Sequence, residues 1–292
     1  MRTGKNRLFE INRKSLIIAG SVFAAAALVA GLVLLVSANT KTVEKMAAVD
    51  ELLSAGVVNV GLRTDLWPLC RYDDTAGTFE GLEKDVADEI TGRLFGAKII
   101  VNYVKVDSET KDALLLTGGL DMSLGASVAG GKAGIDYSDP FFTEGSAFLV
   151  RSGEMTSEDG INGGTVAVVQ GSPEAAKYGK DKKTTYIENY LDAKKISASV
   201  KVYASYPEAV EALRKKFVTA LCAPETFLKI YGRSGMLLLH ERFIPCGYCV
   251  ETRQSLKGLV TAVNETIREM QSDATMDGLI TKWGLSPYME QQ

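Results

Sequence analysis

The 292-residue chain has a single histidine, His240, and none of its four cysteines precedes Cys70. One imidazole excludes every multi-histidine metal centre and leaves histidine-dependent catalysis to one side chain. That side chain follows the apolar run Met236-Leu237-Leu238-Leu239 and reads as a packing or edge residue. With no early cysteine, a lipid-modified N-terminal cysteine is not expected. Net positive charge is confined to the start of the chain. Arg2, Lys5, Arg7, Arg13 and Lys14 against Glu10 leave the first fourteen residues at +4, so a net charge of -3 puts the remainder at about -7. No basic surface is left to neutralise phosphates, and nucleic acid is not an expected partner. At 46% hydrophobic and 24% charged residues the composition is globular, which excludes a disordered, collagen-like or polytopic membrane chain.

One long apolar run is present. No charge occurs between Lys14 and Lys41, and Ser15 to Ala38 (SLIIAGSVFAAAALVAGLVLLVSA) is 24 residues. As a helix it would reach about 36 Å, enough to span a bilayer. It exceeds the hydrophobic core of a secretory signal, although Val36-Ser37-Ala38 has the small residues of a cleavage site. An uncleaved anchor is expected, with the basic residues 1–14 in the cytoplasm and everything after Lys41 outside it. The four thiols, Cys70, Cys222, Cys246 and Cys249, permit three disulfide connectivities, and sequence does not choose among them. Cys246 and Cys249 lie in IPCGYCVET, a strand-like run that points positions three apart to opposite faces. The two further cysteine or histidine ligands that a zinc site needs at similar spacing are missing. The cysteines are therefore expected to be packing residues, with no metal and no cofactor.

After a polar tether, 39–55, that turns into a short amphipathic helix, the pattern becomes strand, helix, strand, helix. Val57 to Leu62 is β-branched; Leu82, Val86, Ile90 and Leu94 recur at helical spacing; Lys98 to Val106 is a strand; a helix is expected over Asp107 to Thr117 and a strand at Met122 to Leu124. A glycine-rich loop runs from Gly125 to Gly134. Phe141 to Val150 is extended and aromatic, able to pass from one domain to another. A second α/β set follows: Thr165 to Val169, a helix after Ser172, Val200 to Tyr203, a helix over Tyr206 to Lys216, Val218 to Cys222, and a helix from about Glu225. Met236 to Leu239 and a Cys246 to Val250 strand lead to one long helix, Leu256 to Gly284, assigned to the first set. The chain then crosses twice between two α/β lobes, the topology of a hinged clamp. The expected division is 56–145 with 246–292 as lobe 1, and 146–245 as lobe 2.

Seven segments carry a resemblance in their order and spacing: VGLRTDLWPLCRY (60–72), GLEKDVADEI (81–90), GGLDMSLGA (118–126), IDYSDPFF (135–142), VAVVQGSPEA (166–175), YPEAVEALRKKFVTALCAPE (206–225) and VNETIREMQSDATMDGLITKWGL (263–285). Over Val57 to Leu285 the chain resembles the extracytoplasmic solute-binding proteins of polar amino-acid ABC importers, family 3. The resemblance implies a type II periplasmic-binding-protein fold, two lobes joined by a two-strand hinge, here preceded by a transmembrane helix. It also implies a membrane-tethered, monomeric, non-enzymatic receptor that hands a small polar solute, an amino acid or derivative, to an ABC permease and its ATPase.

Site residues follow from the same resemblance. Trp67 would form an aromatic ledge, although Leu66 and Leu69 stand where the family has its pair of aromatics. Ser127 falls at the strand end of lobe 1. Gly171 and Ser172 lie at the strand-to-helix turn of lobe 2, where free N–H groups and a helix start favour an anion. In the family's amino-acid binders a threonine and an arginine grip the α-carboxylate; this chain has Ala129-Gly130-Gly131-Lys132, a shorter loop in which Lys132 supplies a point charge rather than a planar fork. The acid that receives the α-ammonium is displaced by one position, to Glu225. Glu83 and Asp85 read as helix-start or hinge acids. Catalytic motifs are incomplete: Ser108-Glu109-Thr110-Lys111 lacks the companions of an acylating serine, and Gly130-Gly131-Lys132-Ala133 lacks the magnesium-binding hydroxyl of a phosphate loop. A ligand-sensing ectodomain working through a separate membrane partner, or a lyase on the same fold, are the competing functions.

Overall fold

The computed structural model describes residues 13–107, 110–179, 183–232 and 235–288, with the side chains of 13–29, 31, 32, 34 and 35 outside the described set. The chain opens with α1, Arg13–Ala55, a single helix of 43 residues. The predicted break between a membrane span and a short tether helix is therefore corrected. Between Ala38 and Gly56 there is neither proline nor glycine. The residues most apt to compete with helix, Thr40 and Thr42, instead bond their hydroxyls to the carbonyls of Val36 and Ala38, four residues back. Among the described residues no helix is long and apolar enough to cross a membrane. Most side chains of the predicted span Ser15 to Ala38, and nearly all of the basic segment 1–14, fall outside what is described.

The far end of α1 is built into the globular body. Ala48 and Leu52 are buried in its largest core, Lys45 pairs with Glu265 at 2.6 Å, and Glu51 reaches Arg253 at 3.4 Å. Gly258, at φ +90°, lies so close to α1 that a Cβ would sit 2.4 Å from the Glu44 carbonyl carbon, so no larger residue fits.

Lobe 1 then runs β1 (Val57–Arg63), β2 (Asp65–Leu66), β3 (Cys70–Asp73), β4 (Thr78–Glu80), α2 (Leu82–Phe95), β5 (Ile100–Val106), α3 (Thr110–Thr117), β6 (Met122–Leu124) and β7 (Ile135–Tyr137). The strand β8 (Phe142–Arg151) carries the chain into lobe 2. There follow β9 (Thr165–Val169), α4 (Tyr186–Ala193), β10 (Ser199–Tyr203), α5 (Tyr206–Arg214), β11 (Ala220–Pro224), α6 (Glu225–Tyr231) and β12 (Met236–Leu238). The return strand β13 (Phe243–Tyr248) leads to β14 (Glu251–Arg253), α7 (Leu259–Ser272) and α8 (Thr275–Lys282) back on lobe 1.

Lobe 1 holds a five-stranded sheet of order β5-β1-β6-β14-β7, parallel through β5, β1 and β6, with β14 antiparallel to both its neighbours. Lobe 2 holds the order β10-β9-β11-β8-β12, with β13 also paired to β8. The Val166 to Val169 run of β9 is buried on both faces, since Ala167 and Val169 pack into one cluster and Val166 and Val168 into another. In α5, Ala209, Val210 and Leu213 face the core, and Ser205 caps the start by accepting from Glu208 N. The hinge is the antiparallel pair β8 and β13, in register from Phe142 opposite Tyr248 to Gly145 opposite Pro245. Its register slips between Phe243 and Pro245, where Ile244 takes φ +43°, a strained value for a β-branched residue.

Three further expectations are corrected. No helix follows Ser172: the segment is a series of turns, with Ser172 N donating to Val169 O at 3.1 Å and Ala176 N to Pro173 O at 3.1 Å. The helix starts instead at Tyr186, behind a capping box in which Thr185 and Glu188 satisfy each other's backbone. The C-terminal helix is two helices, because Ala274 adopts φ +63° while the Asp273 carboxylate accepts from Thr275 N at 3.0 Å. The stretch around Trp67, expected to form an aromatic ledge, is built into a small three-stranded sheet, β2-β3-β4.

Candidate ligand site between the lobes

On the lobe 1 side the site is built where β1 and β6 end. A Cβ at Gly125 would meet the Arg63 side chain at 3.0 Å, so glycine lets the arginine lie across this loop. Arg63 is closed onto Asp65, Nε to Oδ1 at 3.1 Å and Nη2 to Oδ2 at 2.8 Å. The next residue, Ala126, is held at φ +51° by donating its N–H to Glu83 Oε1 at 2.6 Å. Glu83 comes from the first turn of α2 and is fully buried, and its Oε2 has no hydrogen-bond partner. Burial pushes its carboxyl up to about 7, against the N–H of Ala126 and the charges of Arg63 and Lys111. Ser127 follows; its carbonyl accepts from Cys249 N at 2.7 Å, while its Oγ is buried and unpartnered.

On the lobe 2 side, Ser172 is 7% exposed with an unpartnered Oγ. Two residues on, Glu174 is 0% exposed, accepts from the Ser146 hydroxyl through Oε1, and leaves Oε2 unpartnered. Ser146 and Glu144 point from the same face of β8. Glu144 accepts from Thr226 N and Thr226 Oγ1, both at 2.7 Å, and from the Tyr248 hydroxyl. Burial raises the carboxyls of both Glu144 and Glu174 above the usual range. Tyr206 stacks on Phe227 with centroids 4.5 Å apart and lies 6.4 Å from Tyr231. Its hydroxyl is raised well above its ordinary pKa, chiefly by burial and then by the charge of Glu174, while Arg63 across the seam pulls the other way. Phe227 shares one buried cluster with Phe142, Cys246 and Tyr248 of the hinge. The two lobes meet where the charge of Arg63 acts on Tyr206 and Tyr231; the unpartnered Ser127 and Glu83 belong to the lobe 1 side of this seam and Ser172 and Glu174 to the lobe 2 side.

The residues singled out from sequence fall into two groups. Ser127 and Ser172 are in this seam with free buried hydroxyls, and Gly171, at φ +78°, has open space where a Cβ would be. The others are engaged elsewhere. Trp67 packs edge-on against Trp283 at 5.4 Å, with Arg71 over its ring at 4.1 Å. Lys132 pairs with Asp112, which also meets Lys111 at 2.9 Å; Lys111 in turn meets Glu251 at 2.5 Å. Glu225 is gripped by Arg242 at 2.7 and 3.0 Å and by Lys229 at 2.9 Å, and these cations hold its carboxyl below the usual range despite burial. Ser108 and Glu109 of the acylating-serine pattern lie outside the described residues. The cysteines are all free and buried. Sequence reasoning passed over Glu144, Glu174 and Tyr206. A usable signal existed for Glu144, a lone charge inside the otherwise uncharged strand FFTEGSAFLV.

A family model for bacterial extracellular solute-binding proteins, family 3, matches residues 58–286. The chain belongs to that family. The ABC transporter glutamine-binding protein GlnH of Bacillus subtilis is 26% identical over 234 residues, 76% of this chain and 79% of the relative. An ancestral arginine-binding protein bound to arginine superposes with a TM-score of 0.58 at 24% identity, covering 78% of this chain and 98% of that one. An ancestral amino-acid-binding protein, a precursor of cyclohexadienyl dehydratase, gives 0.60 at 21% identity, covering 81% and 99%. At such identities the structural matches carry the fold alone.

Proposed function

We propose that this chain is the membrane-tethered solute receptor of an ABC importer. It captures a small polar solute, an amino acid or a derivative of one, outside the cytoplasm and delivers it to the permease by hinge closure. The observation that carries this reading is the seam itself. Ser127 and Glu83 of lobe 1, and Ser172 and Glu174 of lobe 2, are four of the seven residues with a buried polar atom lacking a partner among the described residues, and a ligand held between the lobes would complete them. A ligand touching both sides gains its full set of contacts only when the lobes are together, so binding shifts the population toward the closed state. The strained Ile244 in the return strand supports a hinge at that crossing. The apolar run from Ser15 to Ala38 supports the tether, and its continuation as one helix into lobe 1 would hold the receptor, as a monomer, near its permease. The glutamine-binding relative supports a transport role. A catalytic role on the same scaffold is separated by the same test, since a catalyst would consume the compound that binds.

The test is a thermal-shift screen of the full-length chain in detergent against the twenty amino acids, short peptides, amines and dicarboxylates, with binders checked for turnover. Ligation of the native state at a hundredfold excess over Kd stabilises by about 2.7 kcal/mol. A shift from one compound class, with that compound recovered intact, is the expected result. No shift across the whole panel contradicts the receptor reading.

A further inference from the structure

The groups in the seam specify more than a polar solute. A ligand carboxylate is held best by a cation, and the cations nearest the seam are each engaged with an acid of the protein. The Arg63 fork is closed on Asp65, and Lys132 is committed to Asp112. No helix starts at Gly171-Ser172, so no helix dipole faces the seam there, and the Ser172 N–H donates to Val169 O. Arg242 and Lys229 are spent on Glu225.

The acceptors show the opposite. Glu83, Glu144 and Glu174 are 0%, 2% and 0% exposed, and among the described residues none of the three has an ion-pair partner. Their bonds come from neutral donors: Ala126 N–H for Glu83, Thr226 and Tyr248 for Glu144, and the Ser146 hydroxyl for Glu174. One carboxylate oxygen on each lobe, Glu83 Oε2 and Glu174 Oε2, stays without a partner, and Ser127 and Ser172 add free hydroxyls beside them. Tyr206, stacked on Phe227 and next to Glu174, offers an aromatic surface suited to an alkyl chain or a cation.

We propose that the seam takes a small organic cation carrying ammonium or guanidinium groups and no carboxylate, a diamine or its guanidino analogue rather than an α-amino acid. This rests on the reading of the seam as the ligand site and deepens it. One cationic end meets Glu174 Oε2 and Ser172 Oγ, and the other approaches Glu83 from lobe 1. The two acids belong to different lobes, so a dication satisfies both only in the closed state, and closure is coupled to ligand charge.

The experiment compares ligands that differ only by the carboxylate, titrated calorimetrically into the full-length chain in detergent: agmatine against arginine, putrescine against ornithine, with glutamine as a further probe. The decarboxylated member of each pair is expected to bind at least tenfold more tightly. Glu174→Gln is expected to weaken agmatine by about tenfold or more, as for loss of a hydrogen bond to a charged group. Ser172→Ala, a milder change, should weaken it by a few-fold, which keeps a second readout if the glutamine variant folds poorly. Arginine or ornithine binding as tightly as its amine overturns the proposal. Tight binding of glutamine with none of the amines also overturns it while leaving the receptor reading intact. No binding by any of these probes, after a screen without shifts, removes both.

Discussion

Within lobe 1, Glu251 is 2% exposed and meets Lys111 at 2.5 Å, while Asp121 is 5% exposed and meets Arg253 at 3.0 Å. In the seam, Glu174 is buried as deeply and meets only the Ser146 hydroxyl, and Glu83 meets only a backbone N–H. Among the described residues, lobe 1 thus pairs the buried acids Glu251 and Asp121 with cations and leaves Glu83 in the seam without an ion pair; in lobe 2 Glu158, 6% exposed, is likewise without one and accepts from the Tyr190 hydroxyl. An unpaired buried carboxylate is destabilising by itself. Its retention on both sides of the seam fits a ligand that brings the positive charge.

Four substitutions break or sharpen this contrast. Lys111→Met leaves Glu251 buried without its cation, the condition of Glu83 and Glu174 in the seam. It should cost about 3 to 5 kcal/mol in denaturant unfolding, the usual penalty for breaking a buried pair. Glu83→Gln probes the seam from lobe 1. Burial raises this carboxyl from 4.5 to about 7, so the folded state holds the proton more tightly than the unfolded chain. The stability that the proton contributes is complete below the unfolded value and is lost as pH rises through the folded one. Wild type should lose on the order of 3 kcal/mol between about pH 4.5 and pH 7 from this group, and the amide, which still accepts from Ala126, should remove that slope. Glu174→Gln should stabilise the apo protein slightly at pH 8, by about 1 kcal/mol in denaturant unfolding, because it relieves an unpaired charge. Lys132→Met is the smallest change. Its side chain is 55% exposed and Asp112 keeps Lys111, so stability should fall by less than about 1 kcal/mol and ligand affinity should stay within about twofold.

Much of the fold can be read from residue patterns. The strands at Met122 to Leu124 and Thr165 to Val169 coincide with β6 and β9, since unbroken β-branched or apolar runs have few alternatives. The helix expected after Ser172 fails for a tertiary reason: Glu174 is drawn into the hinge by Ser146, and the better start lies at Thr185 with Glu188 three residues on, a capping pattern present in the sequence. The site is legible in part. Ser127 and Ser172 could be placed at strand ends, but spacing does not say which acid captures Lys132, or that Arg242, seventeen residues from Glu225, closes on it. Those pairings form only once the sheets are assembled, and they decide which charges remain available.

The most direct measurement is the distance between the lobes. Ile100 on lobe 1 and Phe217 on lobe 2 are 71% and 69% exposed, and the four native cysteines are buried, so cysteines introduced at these two positions can be spin-labelled selectively. Pulsed electron resonance on the full-length chain should show the distance distribution narrow and shift to one population when agmatine is added, and Glu174→Gln should prevent the shift. The same distribution with and without agmatine, at a concentration that saturates a calorimetric titration, would contradict a seam that closes on its cation.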